Sequence, residues 1–214
     1  DATNGAVYEI TQASGYTTVN TLGSGFFSPT GVAVDGSGNV FVADIANVAV
    51  YEITQASGYN TVNTLGGGFS EPEGVAVDGS GNVFVTDFYA AAVKEIPPGC
   101  TSSSCVQTLG GVVTNPYGVA VDATGNVFVT YVNFNAVAEI TRASGYTAGI
   151  SLGSGFQEPT GVVVDGSGNV YVANNRGQVM RLDFSDTPSL SFANTLAGST
   201  SSDRLFKALK PSNE

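Results

Sequence analysis

The sequence predicts an all-β chain, a β-propeller of four-stranded antiparallel blades, five in number with a split closing blade. Three observations carry this. A cassette, "PTGVAVDGSGNVFVAD" at Pro29, returns as "PEGVAVDGSGNVFVTD" at Pro72, "PYGVAVDATGNVFVTY" at Pro116 and "PTGVVVDGSGNVYVAN" at Pro159. Its aspartates, Asp35, Asp78, Asp122 and Asp165, are spaced 43, 44 and 43 residues apart. Each period holds four short runs rich in Val, Ile, Phe and Tyr, divided by Gly, Ser, Asn and Asp. Short strands with turns between them, repeated at this interval, describe a propeller blade. A solenoid of similar period would be helical, and no helical spacing competes.

The elements follow in order. In the first full repeat, strands are expected at 31–35, 40–43, 48–53 and 61–65. "GVAVD" is small and almost wholly apolar, as a strand buried on both faces should be. "DGSGN" is a tight hairpin turn, in which the Asp accepts backbone N–H groups and Gly supplies positive φ. Read as a calcium loop, the same stretch lacks the Glu that twelve-residue loops require, since position 46 is Ala. "NVFVAD" and "AVYEIT" alternate, as half-buried strands do. A second shared block, "VYEITQASGY", occurs at Val7 and Val50, with "VAEITRASGY" at Val137. "VNTLG" at Val19 and Val62 is echoed by "VQTLG" at Val106.

The repeats are expected near 1–28, 29–71, 72–115, 116–158 and 159–200, with 201–214 as a tail. The first holds only the last two strands of a repeat. The fourth cassette's repeat ends loosely, in "QVMRLDF" and "SLSFANTL". The tail, which carries Arg204, Lys207 and Lys210, is a candidate closing strand at 204–209 or a linker of a longer chain. An edge left open would invite a second copy of the chain, making a homo-oligomer.

Composition narrows the function. With 42% hydrophobic and 12% charged residues, the chain is globular rather than disordered. The net charge of −11 opposes phosphate backbones, so no nucleic-acid partner is expected. The chain has no histidine, which excludes Ser-His-Asp and Cys-His catalysis. It has no tryptophan, so any sugar-stacking surface must come from Tyr and Phe. No apolar run is long enough for a membrane span. Cys100 and Cys105 are separated by four small residues, and no further Cys or His completes a zinc site. A disulfide is expected ahead of two free thiols, which places the chain in an oxidising, extracellular or cell-surface compartment.

The cassette followed by "VYEIT" resembles the NHL repeat, a family of propeller blades, of the type found in secreted and surface proteins of bacteria. The resemblance covers roughly residues 1–183. It implies a propeller but no single activity, because such propellers include protein-binding, RNA-binding and enzymatic members. It also implies that the Asp ending "VAD" caps the turn to the next strand. "PSLSFANTLAGSTSSD" resembles the start of Ig-like domains that follow such repeats. Within this fold, the cassette Pro stiffens the start of the innermost strand. Gly31, Gly74, Gly118 and Gly161 lie where the strands converge on the axis.

Function is sought where the copies disagree. Thr30, Glu73, Tyr117 and Thr160 precede the cassette Gly; Asp1, Asp44, Asp87, Tyr131 and Asn174 end the second strand. Both sets fall at one rim of the central channel. Thr30, Asp44, Glu73, Asp87, Tyr117, Tyr131, Thr160 and Asn174 are therefore the candidate ligand-binding residues. Asp44, Glu73, Asp87 and Asn174 are a candidate Ca2+ shell on the channel axis. Tyr117, Tyr131, Phe88, Tyr89 and Phe134 are a candidate aromatic wall.

Two functions fit. The first is a non-catalytic extracellular module whose rim takes a protein, glycan or small-molecule ligand. The second is a calcium-dependent hydrolase acting on a lactone or phosphotriester. Propellers of the gluconolactonase type resemble this fold class and use a central calcium, with Glu73 and Asp87 as the candidate catalytic carboxylates here. Lyases of the NHL type that need histidine are excluded.

Overall fold

The computed structural model describes residues 1–110, 114–175 and 177–182. Their strands form five antiparallel sheets. The first sheet is two-stranded, β1 (Val7–Ile10) with β2 (Val19–Leu22). Blade I holds β3 (Pro29–Val34), β4 (Val40–Asp44), β5 (Ala49–Ile53) and β6 (Val62–Leu65). Blade II holds β7 (Pro72–Val77), β8 (Val83–Asp87), β9 (Ala92–Ile96) and β10 (Gln107–Leu109). Blade III holds β11 (Pro116–Val121), β12 (Val127–Tyr131), β13 (Ala136–Ile140) and β14 (Gly149–Leu152). The last sheet, blade IV, shows β15 (Pro159–Val164), β16 (Val170–Asn174) and β17 (Gln178–Leu182). Strands pair in sequence order within each blade, so this is a β-propeller of antiparallel blades, as the repeat predicts. The expected strands in "SLSFANTL" and at 204–209, and with them the closure of a fifth blade, lie outside the described residues.

Each cassette folds as its chemistry dictates. Asp35 accepts Ser37 N–H and Asn39 N–H on Oδ1, both at 2.8 Å, and Asn39 Nδ2 at 2.9 Å on Oδ2. The same cage closes on Asp78, Asp122 and Asp165, and Gly38 takes φ +83° in it. With both carboxylate oxygens filled by its own turn, this aspartate acts as a turn lock. The innermost strand begins two residues earlier than its apolar run, at Pro29, because a bulge separates Pro29 from Gly31. The third strand begins one residue later than its pattern, because Val48, at φ 52°, still belongs to the turn.

The core lies between blades rather than within them. Val75 of β7 packs with Phe41, Ala43 and Val50 of blade I, and Val119 of β11 packs with Ala76 and Phe84 of blade II. Val162 of β15 packs with Phe128 and Val137 of blade III. The cassette glycine permits this approach. A Cβ on Gly31 would lie 2.6 Å from Glu73 O, and one on Gly74 2.6 Å from Tyr117 O. Gly161 would meet only Ala173 Cβ of its own blade, at 3.5 Å, since among the described residues no inner strand follows β15.

Full burial of the inner strand therefore holds only where a neighbour exists. Val75, Val119 and Val162 are 6%, 9% and 6% exposed, but their counterpart Val32 on β3 is 60% exposed. On the far side, Val163 of β15 is also exposed, where Ala76 and Ala120 are buried.

Candidate functional site

Inner strands β3, β7, β11 and β15 line a cavity of about 220 Å³ on the axis. Thr30, Glu73, Tyr117 and Thr160 stand around it, each directly before its cassette glycine. The four repeat-variable positions that precede the glycines are thus gathered at one place. Thr30 Oγ1 donates to Glu73 O at 2.9 Å, tying β3 to β7.

Glu73 is the chemically distinctive member. Partial burial, and next the charge of Glu71, push its carboxyl up to about 7. Glu71 is raised too, by burial and then by Asp87. Glu71 Oε2 is a buried acceptor with no hydrogen-bond partner. Tyr117 is raised by burial, then by Glu73 and Glu71. Its ring meets Phe88 edge-on at 6.5 Å, and Phe88 meets Tyr89 edge-on at 5.6 Å. One side of the mouth thus combines two carboxyls with three aromatic rings.

The residues that end the second strands do different work. Asp44 is fully buried and accepts Phe27 N–H at 2.7 Å, Ser28 N–H at 2.9 Å and Asn47 Nδ2 at 3.0 Å. It ties the loop arriving from the previous blade to its own turn. Asp87 does the same with Ser70 N–H and Glu71 N–H, and adds a buried ion pair to Lys94 Nζ at 2.7 Å. Lys94 also donates to Gly68 O at 2.6 Å and lies 5.2 Å from the Phe69 ring centroid. Asn174 receives Gln157 N–H at 3.4 Å and directs Nδ2 to Met180 Sδ at 3.1 Å. Tyr131, pushed up to about 12 by burial, fits none of these patterns. With Phe134 it lines a second hollow beside Ala138, away from the axial cavity. The five-residue aromatic wall is thus split in two.

These placements decide the fit of a calcium ion. Asp44, Asp87 and Asn174 direct their oxygens to inter-blade N–H groups, whereas Glu73 faces the axis. Among the described residues no group of three or more His, Cys, Asp or Glu is placed to hold a metal ion. The donor set does not fit calcium, and no step is derived through it.

Sequence reasoning missed Lys94, Glu71, Thr86 and Thr130. Lys94 was findable: it is the first basic residue in the chain and sits in an apolar run, "AAVKEI", where a buried cation needs a partner. Thr86 takes Gly74 N–H at 2.8 Å and donates to Tyr117 O at 2.5 Å, joining blade II to blade III. Thr130 receives Gly118 N–H at 2.8 Å in the same way. Both fill a bulge that no residue pattern announces.

Cys100 and Cys105 form the expected disulfide, Cα–Cα 5.7 Å. It closes the β9–β10 loop where other blades use "ASGY". Cys100 O accepts Gly66 N–H at 2.9 Å, as Tyr59 O accepts Gly23 N–H at 3.0 Å. Such a bond suggests a location outside the cytoplasm. Among the described residues no helix is long and apolar enough to cross a membrane.

No curated protein matches the sequence. Several solved structures match the fold. A streptogramin B lyase is 12% identical with TM-score 0.56, over 72% of this chain and 53% of its own. A catalytically inactive variant of virginiamycin B lyase from Staphylococcus aureus, with quinupristin, is 10% identical with TM-score 0.64, over 87% and 62%. A structural genomics protein of unknown function from Bacteroides thetaiotaomicron is 17% identical with TM-score 0.60, over 82% and 52%. The chain thus spans between about half and two thirds of the length of these proteins, and at such identities the likeness concerns the fold. Residues 69–95, from the blade I–II loop through β9, match the NHL repeat family. The β-propeller thus carries an NHL repeat at residues 69–95, and the same cassette recurs in its other three blades.

Proposed function

We propose that this propeller is a non-catalytic extracellular binding module whose axial mouth takes a basic group, such as the guanidinium of a protein partner's side chain or a small cationic ligand. The observation that carries the reading is the convergence of Thr30, Glu73, Tyr117 and Thr160 on one cavity while the framework around them repeats. Size limits the guest. Pockets for whole drug-sized ligands run from roughly 300 Å³ upward, whereas this one, at about 220 Å³, suits a single side chain or ring. Chemistry selects its charge. Glu71 Oε2 is an acceptor without a donor, Glu73 lies beside it, and Tyr117 and Phe88 offer rings to a cation. A net charge of −11 raises the local concentration of cations. The disulfide supports a location outside the cytoplasm.

Lyase activity draws no support from these residues. The inactive relative is named for the replacement of a histidine by alanine, and this chain contains no histidine. The hydrolase reading loses its calcium shell, as described above.

The test is calorimetric titration with an Arg-containing peptide and its citrulline counterpart at pH 6 and pH 8. The Arg peptide should bind more tightly at pH 8, because Glu73 ionises through about 7. Glu73→Gln should weaken it about tenfold or more and remove the pH dependence. Equal affinity for the citrulline peptide would sink the proposal.

A further inference from the structure

The disulfide turn of blade II sits against the segment that leads into the axial mouth. In blades I and III the turn between the third and fourth strands reads "TQASGY" and "TRASGY"; in blade II it reads "PPGCTSSSCV". Its contacts with residues 66–68 are close. Gly66 N–H donates to Cys100 O at 2.9 Å. A Cβ on Gly66 would lie 2.8 Å from Val106 Cγ2, one on Gly67 3.2 Å from Ser103 N, and one on Gly68 3.2 Å from Ser103 Cβ. The two sulfurs differ in access. Cys100 is 4% exposed, whereas Cys105 is only partly buried and the residues between them, Thr101 to Ser104, are all exposed.

Residues 66–71 cross blade II as a strap pinned at three points. The start lies on the disulfide turn. The middle is held by Lys94 of β9, which donates to Gly68 O at 2.6 Å and stands 5.2 Å from the Phe69 ring centroid. The end is held by Asp87 of β8, which takes Ser70 N–H at 3.0 Å and Glu71 N–H at 2.8 Å. Lys94 and Asp87 are themselves paired at 2.7 Å. Cys100, Cys105, Val106 and Phe69 share one apolar cluster between blades I and II. Glu71 then presents its buried Oε2 two residues ahead of Glu73. Turn, strap and mouth thus form one contiguous path, and the bridge at its head has two discrete states, closed and open.

We propose that the Cys100–Cys105 bridge is a redox modification site that sets the affinity of the axial mouth, closed in the binding form and opened by a dithiol reductant. The proposal rests on the reading of the mouth as a site for a basic group. A thiolate of the reductant attacks Cys105 Sγ, the accessible sulfur. The S–S bond breaks, a mixed disulfide forms, and Cys100 leaves as a thiolate that takes a proton from water. The second thiolate of the reductant attacks its own sulfur in the mixed disulfide, and Cys105 leaves in the same way. The reductant loses two electrons and departs as a disulfide; the chain gains two electrons and two protons. The opened turn regains conformational freedom. Its grip on Gly66, Gly67 and Gly68 relaxes, and Glu71 and Glu73 are held less firmly at the mouth.

The probe is dithiothreitol added to the full chain, read by hydrogen exchange of the Ser70 and Glu71 amides and by calorimetric titration with the Arg peptide. Reduction should speed exchange at these two amides about tenfold and leave the amides of β12 unchanged. It should weaken the Arg peptide about five- to tenfold, and reoxidation should restore both readings. Because Cys100 is buried, Cys105→Ser is measured alongside. It keeps Cys100 in its cluster and should behave as the reduced chain does, with no response to dithiothreitol. Unchanged exchange at Ser70 and Glu71 in the reduced chain and in Cys105→Ser overturns the proposal. So does exchange that rises equally in β12, since the bridge would then be a staple of the whole fold. Equal affinity of the reduced and oxidised chains for the Arg peptide overturns control of the mouth. A peptide that binds neither form overturns the reading of the mouth instead, and the exchange, which needs no ligand, then decides the strap alone.

Discussion

Asp87 and Asn174 occupy the same place in different blades, and their partners have changed with them. Asp87 faces Lys94, whereas Asn174 faces Met180, a neutral pair in the same two positions. Blade IV thus displays a working alternative to the ion pair of blade II. Asp87→Asn strands a buried ammonium and should cost about 3 kcal/mol. Lys94→Met leaves Asp87 its loop N–H bonds and should cost less. The double variant should recover at least about 1 kcal/mol relative to the summed single costs, measured by urea denaturation; strict additivity would count against coupling. These roles were half legible. A lone lysine in an apolar run signals a buried partner, but which aspartate it meets depends on blade geometry. Likewise the variability of Thr30, Glu73, Tyr117 and Thr160 marked the mouth. The equal variability of Asp44, Asp87 and Asn174 marked a coupling between loop and blade, and sequence alone could not tell the two kinds of variation apart.

At the scale of elements, the cassette turn is the most legible feature, because Asp, Gly and Asn each have one job in it. Its strength shows in Asp165, whose carboxyl is held down at about 2 by bonds from Asn169, Ser167 and Tyr171. The sign follows from linkage. The unfolded group titrates near 3.8, so the stabilisation is complete above that value and is lost as pH falls through about 2. Asp165→Asn should therefore flatten the acid limb of the stability curve between roughly pH 4 and pH 2, read by thermal melts across that range. An unchanged acid limb would show that the turn contributes nothing there. Strand positions were legible within two residues. The bulges after the cassette Pro were not: they recur in all four blades, with Thr86 and Thr130 bonding into two of them and Ala43 and Ala173 standing at the same place in the others.

For the whole molecule, repeat length and strand chemistry specified the propeller, while ring closure was beyond reach because it depends on faces, not periods. The described blades stack in a row, with inner strands β3, β7, β11 and β15 each packed on the next. The two ends differ from the middle. Val32 on one side and Val163 and Val179 on the other are exposed where their counterparts in blades II and III are buried. The described row has the thermodynamics of a short one-dimensional lattice, in which each unit is stabilised by its neighbours and blades II and III have a described neighbour on both sides. Native-state hydrogen exchange should then show a gradient, with amides of β8 and β12 protected longest and those of β1 and β16 opening earlier. A single uniform opening energy would contradict it. The glycine contacts give the reason for such behaviour. Where Gly31, Gly74 and Gly118 let inner strands touch, backbone is locked to backbone, and among the described residues no such contact lies beyond Gly161. Blades II and III, locked to a neighbour on both sides, should be the last to open, so cuts within β8 and β12 should be the slowest in limited proteolysis.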